Sequence, residues 1–172
     1  MPAGRRGFTL IEVLAVVVIV GILVSLAALS VNVGGSARLA EEEGRRLRAL
    51  LALAREQAIL EAAELALVVE EHGYRFERLD PEGKWRPLAD DRVLRPRQVD
   101  PALSLDLVLE GEVQPPGGGD AGMQPPRVLL LSSGETTPFE LVVGDGKVRW
   151  RLAGDGFGRL ALAGPEAVAE GT

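Results

Sequence analysis

The chain has 172 residues and a formal net charge of −6. That acidic balance argues against a general nucleic-acid surface. The absence of cysteine excludes disulfides, thiolate metal sites and thiol nucleophiles, and the length allows one long helix plus one modest domain with its own core.

Arg5 and Arg6 precede the stretch Gly7-Phe8-Thr9-Leu10-Ile11-Glu12, and the next charge after Glu12 is Arg38. Residues 13–31 are apolar apart from Gly21, Ser25 and Ser30. A run of about 20 such residues is long enough to span a bilayer as a helix. A carboxylate at its head costs roughly 2.5–3.5 kcal/mol on insertion scales, so Glu12 calls for a partner. Arginines before the run and none within it place the N-terminus in the cytoplasm and the remainder outside the inner membrane. A secretory signal peptide and a plain single-span anchor are simpler readings, but both would do better without Glu12.

Asn32-Val33-Gly34-Gly35-Ser36 is a weak point, since each glycine costs about 1 kcal/mol against alanine inside a helix, and a bend or local melting is expected there. Residues 37–63 return to helical spacing, with Leu39, Leu47, Leu50, Leu51, Ala54 and Ala58 on one stripe. Glu41 with Arg45 and Glu42 with Arg46 form i,i+4 pairs, and Glu41-Glu42-Glu43 is expected to be a solvated face. From Glu64 the period becomes alternating. Residues 65–70 and 74–79 predict a hairpin around Glu71-His72-Gly73, and residues 85–88 a further short strand. Residues 89–101 form a loop bearing arginines and prolines. Leu103, Leu105, Leu107 and Leu109 predict a strand with one buried face. Residues 114–126 read as a flexible Pro-Gly loop, and 127–131 as an apolar strand. Residues 139–143 and 147–152 flank an Asp145-Gly146 hairpin step. A last short strand is expected at 159–162, with a frayed tail from Ala163, giving seven or eight strands in all.

Catalytic chemistry finds little support. His72, the sole histidine, reads as a surface turn residue, and Ser132 and Ser133 lack a nucleophile-elbow context. Gly117-Gly118-Gly119 lies between prolines rather than between a strand and a helix, which disfavours a phosphate cradle. Asp90, Asp91, Asp145 and Asp155 are not spaced as calcium ligands. Arg92, Arg95 and Arg97 form the clearest basic patch, read as a loop pairing with Asp90 and Asp91. A nucleic-acid contact at these three arginines is the less favoured reading. No catalytic residue, metal or cofactor is expected.

Residues 4–12 resemble the class III signal of type IV pilins and pseudopilins. Ser132-Ser-Gly-Glu-Thr-Thr-Pro-Phe139, Arg149-Trp150 and Gly154-Asp-Gly-Phe-Gly158 resemble the C-terminal region of GspH-type minor pseudopilins of type II secretion. The resemblance implies cleavage by prepilin peptidase between Gly7 and Phe8 and N-methylation of Phe8. It also implies pairing of Glu12 with the terminal amine of a neighbouring subunit during assembly. The expected partners are that peptidase, other major and minor pseudopilins, inner-membrane lipid before assembly, and exported proteins. The expected organisation is a cleaved leader at 1–7, a transmembrane and assembly helix at 8–31, its amphipathic continuation at 32–63, and a periplasmic β-rich domain at 64–172. The implied fold is α+β, a long N-terminal helix packed on mostly antiparallel strands in two sheets. A FimT-like minor pilin for pilus assembly or DNA uptake has the same architecture and is the alternative.

Overall fold

The computed structural model describes residues 10–118 and 124–168, with the side chains of 25–34 and of Gly118 left out. The leader and the Gly7–Phe8 junction lie outside the described residues. The chain divides into two compact units, Met1–Gly35 and Ser36–Thr172.

Helix α1 runs from Leu10 to Glu61. Its backbone stays helical through residues 32–36, so the glycine pair does not melt it. Isolated helices gain their stability mostly from neighbouring turns and packing, and two glycines cost too little to interrupt such a long one. Within the first unit Leu10, Leu14, Val17, Ile19 and Leu23 are all more than half exposed, on every side of the helix. Among the described residues no helix is long and apolar enough to cross a membrane. The expected span at 8–31 extends past the described side chains at both ends.

α1 ends without glycine. Ala62 takes φ 49, and the Ala63 N–H reaches back to the Ala58 carbonyl at 3.1 Å. That is the reach of a Schellman-type cap, which occupies the helix's orphan carbonyls.

The second unit holds ten strands among its described residues, all paired antiparallel. β1 (Leu65–Glu70), β2 (Gly73–Leu79), β3 (Trp85–Pro87), β4 (Arg97–Gln98) and β7 (Val128–Leu130) form one sheet, in the order β3-β2-β1-β7 with β4 also on β2. β5 (Ser104–Leu109), β6 (Glu112–Gln114), β8 (Phe139–Gly144), β9 (Val148–Gly154) and β10 (Leu160–Ala167) form the other, in the order β10-β9-β8-β5-β6. The predicted hairpins are present, β1 with β2 and β8 with β9 across Asp145-Gly146. The fold is therefore the expected α+β arrangement in two antiparallel sheets.

Three expectations change. β10 continues to Ala167 where a frayed tail was expected, because residues 166–167 pair again with β9 after a shift in register. β4 lies in a stretch read as loop, and β6 ends where the Pro-Gly loop was expected to begin, each too short to show a period. Part of the Pro-Gly segment, Pro116–Gly118, forms a 3-10 turn, and residues 119–123 are outside the described set.

Both sheets turn their apolar faces inward. Leu65, Leu67 and Val69 of β1, Tyr74 and Phe76 of β2, Leu105 and Leu107 of β5, and Leu141 and Val143 of β8 meet Leu47, Leu51, Ala54 and Ala58 of α1 in one core. The period-2 alternation of each strand supplies one such face. Leu39, placed on the helix stripe by sequence, is 39% exposed, and Ala40 takes the buried position instead. At β9, Gly154 lies flat under the Phe139 ring, where a Cβ would have no room.

Candidate functional site

In the first unit Glu12 falls in the first turn of α1 and is exposed, with Val13, Leu14, Val17 and Val18 along the same helix. A helix apolar all round belongs in lipid or inside a bundle of other helices. A carboxylate in either setting needs an opposing charge. Gly7 and Phe8, which would frame the new N-terminus, lie outside the described residues.

The second unit contains polar contacts that the sequence pattern did not disclose. Glu43, expected on a solvated face, is 6% exposed. Its carboxylate accepts the Tyr74 hydroxyl at 2.8 Å and Arg46 Nη1 at 2.5 Å. The expected Glu42–Arg46 pair is absent because Arg46 turns to Glu43 while Glu42 takes Arg38; Glu41 does pair with Arg45. Burial, and then the charge of Glu43 and its hydrogen bond, push the Tyr74 phenol well above its ordinary value. The stabilisation carried by the protonated phenol is thus complete below about pH 10 and lost as pH rises beyond it.

On the outer face of the first sheet Glu77 is also buried, at 3% exposure. It accepts from Arg75 and Arg127, each at 2.9 Å. Arg127 also stacks over the Trp85 ring at 5.2 Å. Glu64, just past the end of α1, accepts the Ser132 hydroxyl at 2.8 Å and its N–H at 3.0 Å. Ser132 thus ties the turn before β8 to the end of α1.

The aspartates serve their own turns. Asp145 accepts the N–H of Lys147 at 2.9 Å and of Val148 at 2.8 Å, and the Ser36 hydroxyl of α1 donates to its other oxygen. The Ser36 bond and then those two amides hold the Asp145 carboxyl down at about 2. Asp91 spends its carboxylate on the N–H groups of Leu94 and Val93, and Asp155 on those of Arg159 and Phe157. Both titrate below the usual carboxylate range, chiefly for those backbone bonds. Among the described residues no group of three acidic or histidine side chains could hold a metal.

The sign for Asp145 follows from its lowered value. Its contribution is present above the ordinary carboxyl range and disappears as pH falls from about 4 towards 2. Asp145→Asn is accordingly expected to flatten the acid limb of a stability-versus-pH curve in that window. Parallel curves for variant and wild type, measured by urea unfolding at several pH values, would contradict it.

His72 lies exposed in the β1–β2 turn. Arg92 and Arg95 are exposed, and Arg97 sits half-buried on β4 with its guanidinium donating to the Val93 carbonyl at 3.0 Å. Among the described residues none of the three has an ion-pair partner, and Asp91 accepts instead from the backbone of Val93 and Leu94. The loop ion pairs expected for them are therefore not made.

The family described as the prokaryotic N-terminal methylation motif matches residues 2–28. The family described as Type II transport protein GspH matches residues 43–158. Type II secretion system protein H of Pseudomonas aeruginosa is 35% identical over 162 residues, covering 88% of this chain and 92% of that protein. The protein of the same description from Aeromonas hydrophila is 31% identical, covering 92% and 93%. The crystal structure of the Vibrio cholerae minor pseudopilin EpsH aligns at a TM-score of 0.62 and 25% identity, over 77% of this chain and 98% of that one. A methylation motif at the head of an apolar helix, a two-sheet domain behind it and relatives matched over most of their length lead to one assignment: this chain belongs to the GspH family of type II secretion minor pseudopilins.

Proposed function

We propose that the protein is a non-enzymatic structural subunit of the type II secretion pseudopilus. Prepilin peptidase cuts it between Gly7 and Phe8 and methylates the new amine. The apolar half of α1 holds it in the inner membrane as a single span, N-terminus inside and the β-rich domain in the periplasm. On assembly that half leaves lipid and packs among equivalent helices, where Glu12 meets the terminal amine of a neighbouring subunit. The domain contacts other pseudopilins and exported proteins by shape and charge rather than by chemistry.

The observation that carries this reading is the combination of an all-round apolar helix headed by a lone carboxylate with similarity to type II secretion H proteins along nearly the whole chain. The test is mass spectrometry of the N-terminus from cells with and without prepilin peptidase. Methylated Phe8 as the first residue is expected with the peptidase, and an intact leader without it. An intact leader in both, or a start near Ala37, overturns the reading.

A further inference from the structure

The loop ahead of β4 presents one apolar side chain between two arginines. Val93 is 41% exposed, and Arg92 and Arg95 on either side of it are exposed too. A single exposed valine is ordinary on any protein surface. This one is set apart by the stiffness of its backbone and by the charges around it. Asp91 Oδ1 accepts the N–H of Val93 and of Leu94, each at 2.7 Å, and Arg97 Nη2 donates to the Val93 carbonyl at 3.0 Å. Leu94 is fully buried and pins the loop to the core. Most arginines of the domain hold a carboxylate, as Arg45 holds Glu41 and Arg151 holds Glu140. Among the described residues Arg92 and Arg95 hold none. Asp90 and Asp91, the nearest acids in the chain, instead line a depression together with Glu61 and Arg78.

The same domain has a hole of opposite charge. A cavity of about 310 Å³ is lined by Val99, Leu103 and Leu105 on its apolar side and by Glu71, His72 and Asp100 on its polar side, with no lysine or arginine in the lining. Its walls are tied together. The Val99 N–H donates to the His72 carbonyl at 3.0 Å, and the Leu103 N–H to the Asp100 carbonyl at 2.9 Å. Asp100 Oδ1 also accepts the Ala102 N–H at 2.9 Å. Among the described residues neither Glu71 nor Asp100 is in an ion pair.

We infer that a second copy of this chain seats its Val93 in this cavity, with its Arg92 and Arg95 at the Glu71 and Asp100 carboxylates. The occupant is argued from complementarity: an apolar knob flanked by two uncommitted cations, and an apolar hole flanked by two uncommitted anions, all on one domain. Guanidinium–carboxylate bonds made there are new ones, since neither side has an ion pair to give up. Six residues separate Val93 from Val99, no more than about 20 Å of extended chain. Neighbouring complementary features make a reciprocal contact, in which each copy fills the other's cavity about a two-fold axis. One valine and two guanidiniums on each side make a weak contact between free molecules, and confining copies to one bilayer raises their effective concentration. Two arginines in an acidic domain suit a local protein contact better than a nucleic acid, whose binding sums over many phosphates. The contact stands on this surface alone, whether or not Glu12 pairs with an amine.

The chain contains no cysteine, so introduced thiols report cleanly. Two differently tagged full-length copies, one Pro96→Cys and the other His72→Cys, are reconstituted together in lipid vesicles and treated with a short bifunctional maleimide. The expected yield of mixed product is about tenfold above that from Pro96→Cys with Lys84→Cys, an exposed position past the far end of β2 from Gly73. Adding Val93→Asp to the first copy is expected to lower the yield about tenfold, because the new carboxylate enters an apolar hole rimmed by acids. Val93 is half-exposed, so the fold survives the change, which circular dichroism checks. Arg92→Glu with Arg95→Glu in the first copy is expected to lower the yield by a similar factor, and Glu71→Arg in the second copy to recover part of it. A yield equal to the control, no response to Val93→Asp, or no recovery with Glu71→Arg would each overturn the inference. So would retention of duplex DNA by the wild type that Arg92→Glu with Arg95→Glu abolishes, without copy-to-copy linkage.

Discussion

Glu77→Ala is expected to destabilise the domain by about 3–5 kcal/mol, the cost of removing one partner from a buried charge cluster. The Glu77 side chain is 4% exposed, Arg127 13% and Arg75 22%. Without the carboxylate, two guanidiniums face each other across the sheet with no anion between them. Arg75 keeps Glu70, but Arg127 keeps no carboxylate, only the Trp85 ring, the Gln124 side-chain oxygen at 3.1 Å and the Pro125 carbonyl at 3.3 Å. The backbone beneath offers no relief, since Ala66 and Val68 of β1 are fully buried. Thermal unfolding followed by circular dichroism is expected to show the midpoint lowered by more than about 10 °C. Adding Arg127→Met should recover part of the loss, because an apolar side chain is tolerated where an unpaired charge is not. A cost under about 1 kcal/mol would place the cluster with ordinary surface pairs.

Glu12→Ala is expected to leave membrane insertion and removal of the leader unchanged while incorporation into the pseudopilus falls by an order of magnitude or more. Insertion should improve slightly, since the change removes a charge worth roughly 2.5–3.5 kcal/mol against burial in lipid. Assembly, by contrast, loses the carboxylate that on the proposed pairing offsets a cationic terminus inside a bundle of apolar helices. The two effects have opposite signs, which separates them. Pulse labelling follows processing, and chemical cross-linking in intact cells followed by immunoblotting follows incorporation. Equal incorporation of wild type and variant would remove the pairing from the account. Glu12→Gln is the sharper comparison, because it keeps size and hydrogen bonding and lacks only the charge.

The features legible from sequence are those governed by neighbours a few residues away. The helical stripe through Leu47, Leu51, Ala54 and Ala58, the alternation at Leu105 and Leu107, and the Asp145-Gly146 turn each declare themselves locally, and each is found where expected. The expectations for Gly7, Phe8 and Glu12 likewise rest on identity, spacing and position ahead of an apolar run, and Gly7 and Phe8 lie outside the described residues. Glu43 was hidden because a glutamate between two others on a helix looks solvated until Tyr74, 31 residues later, is folded over it. Glu77 gave no signal either, since Arg127 is 50 residues away and reaches it only when β7 joins β1 beside β2. β10 looked finished at Leu162 because Gly164 and Pro165 are poor strand residues, and only renewed pairing with β9 carries it to Ala167.

Read alone, the amino-acid order determined an apolar helical run headed by one charge, an amphipathic continuation, a set of strands and the class of filament subunit they resemble. Periodicity, local charge and terminal motifs are short-range properties, so the chain displays them before it folds. Tertiary structure alone decided which carboxylates are buried, which arginines hold them, how the ten strands among the described residues divide between two sheets, and that Phe157 stands outside the core. Those outcomes depend on groups brought together across 30 to more than 100 residues, and nothing local encodes which distant partner will arrive.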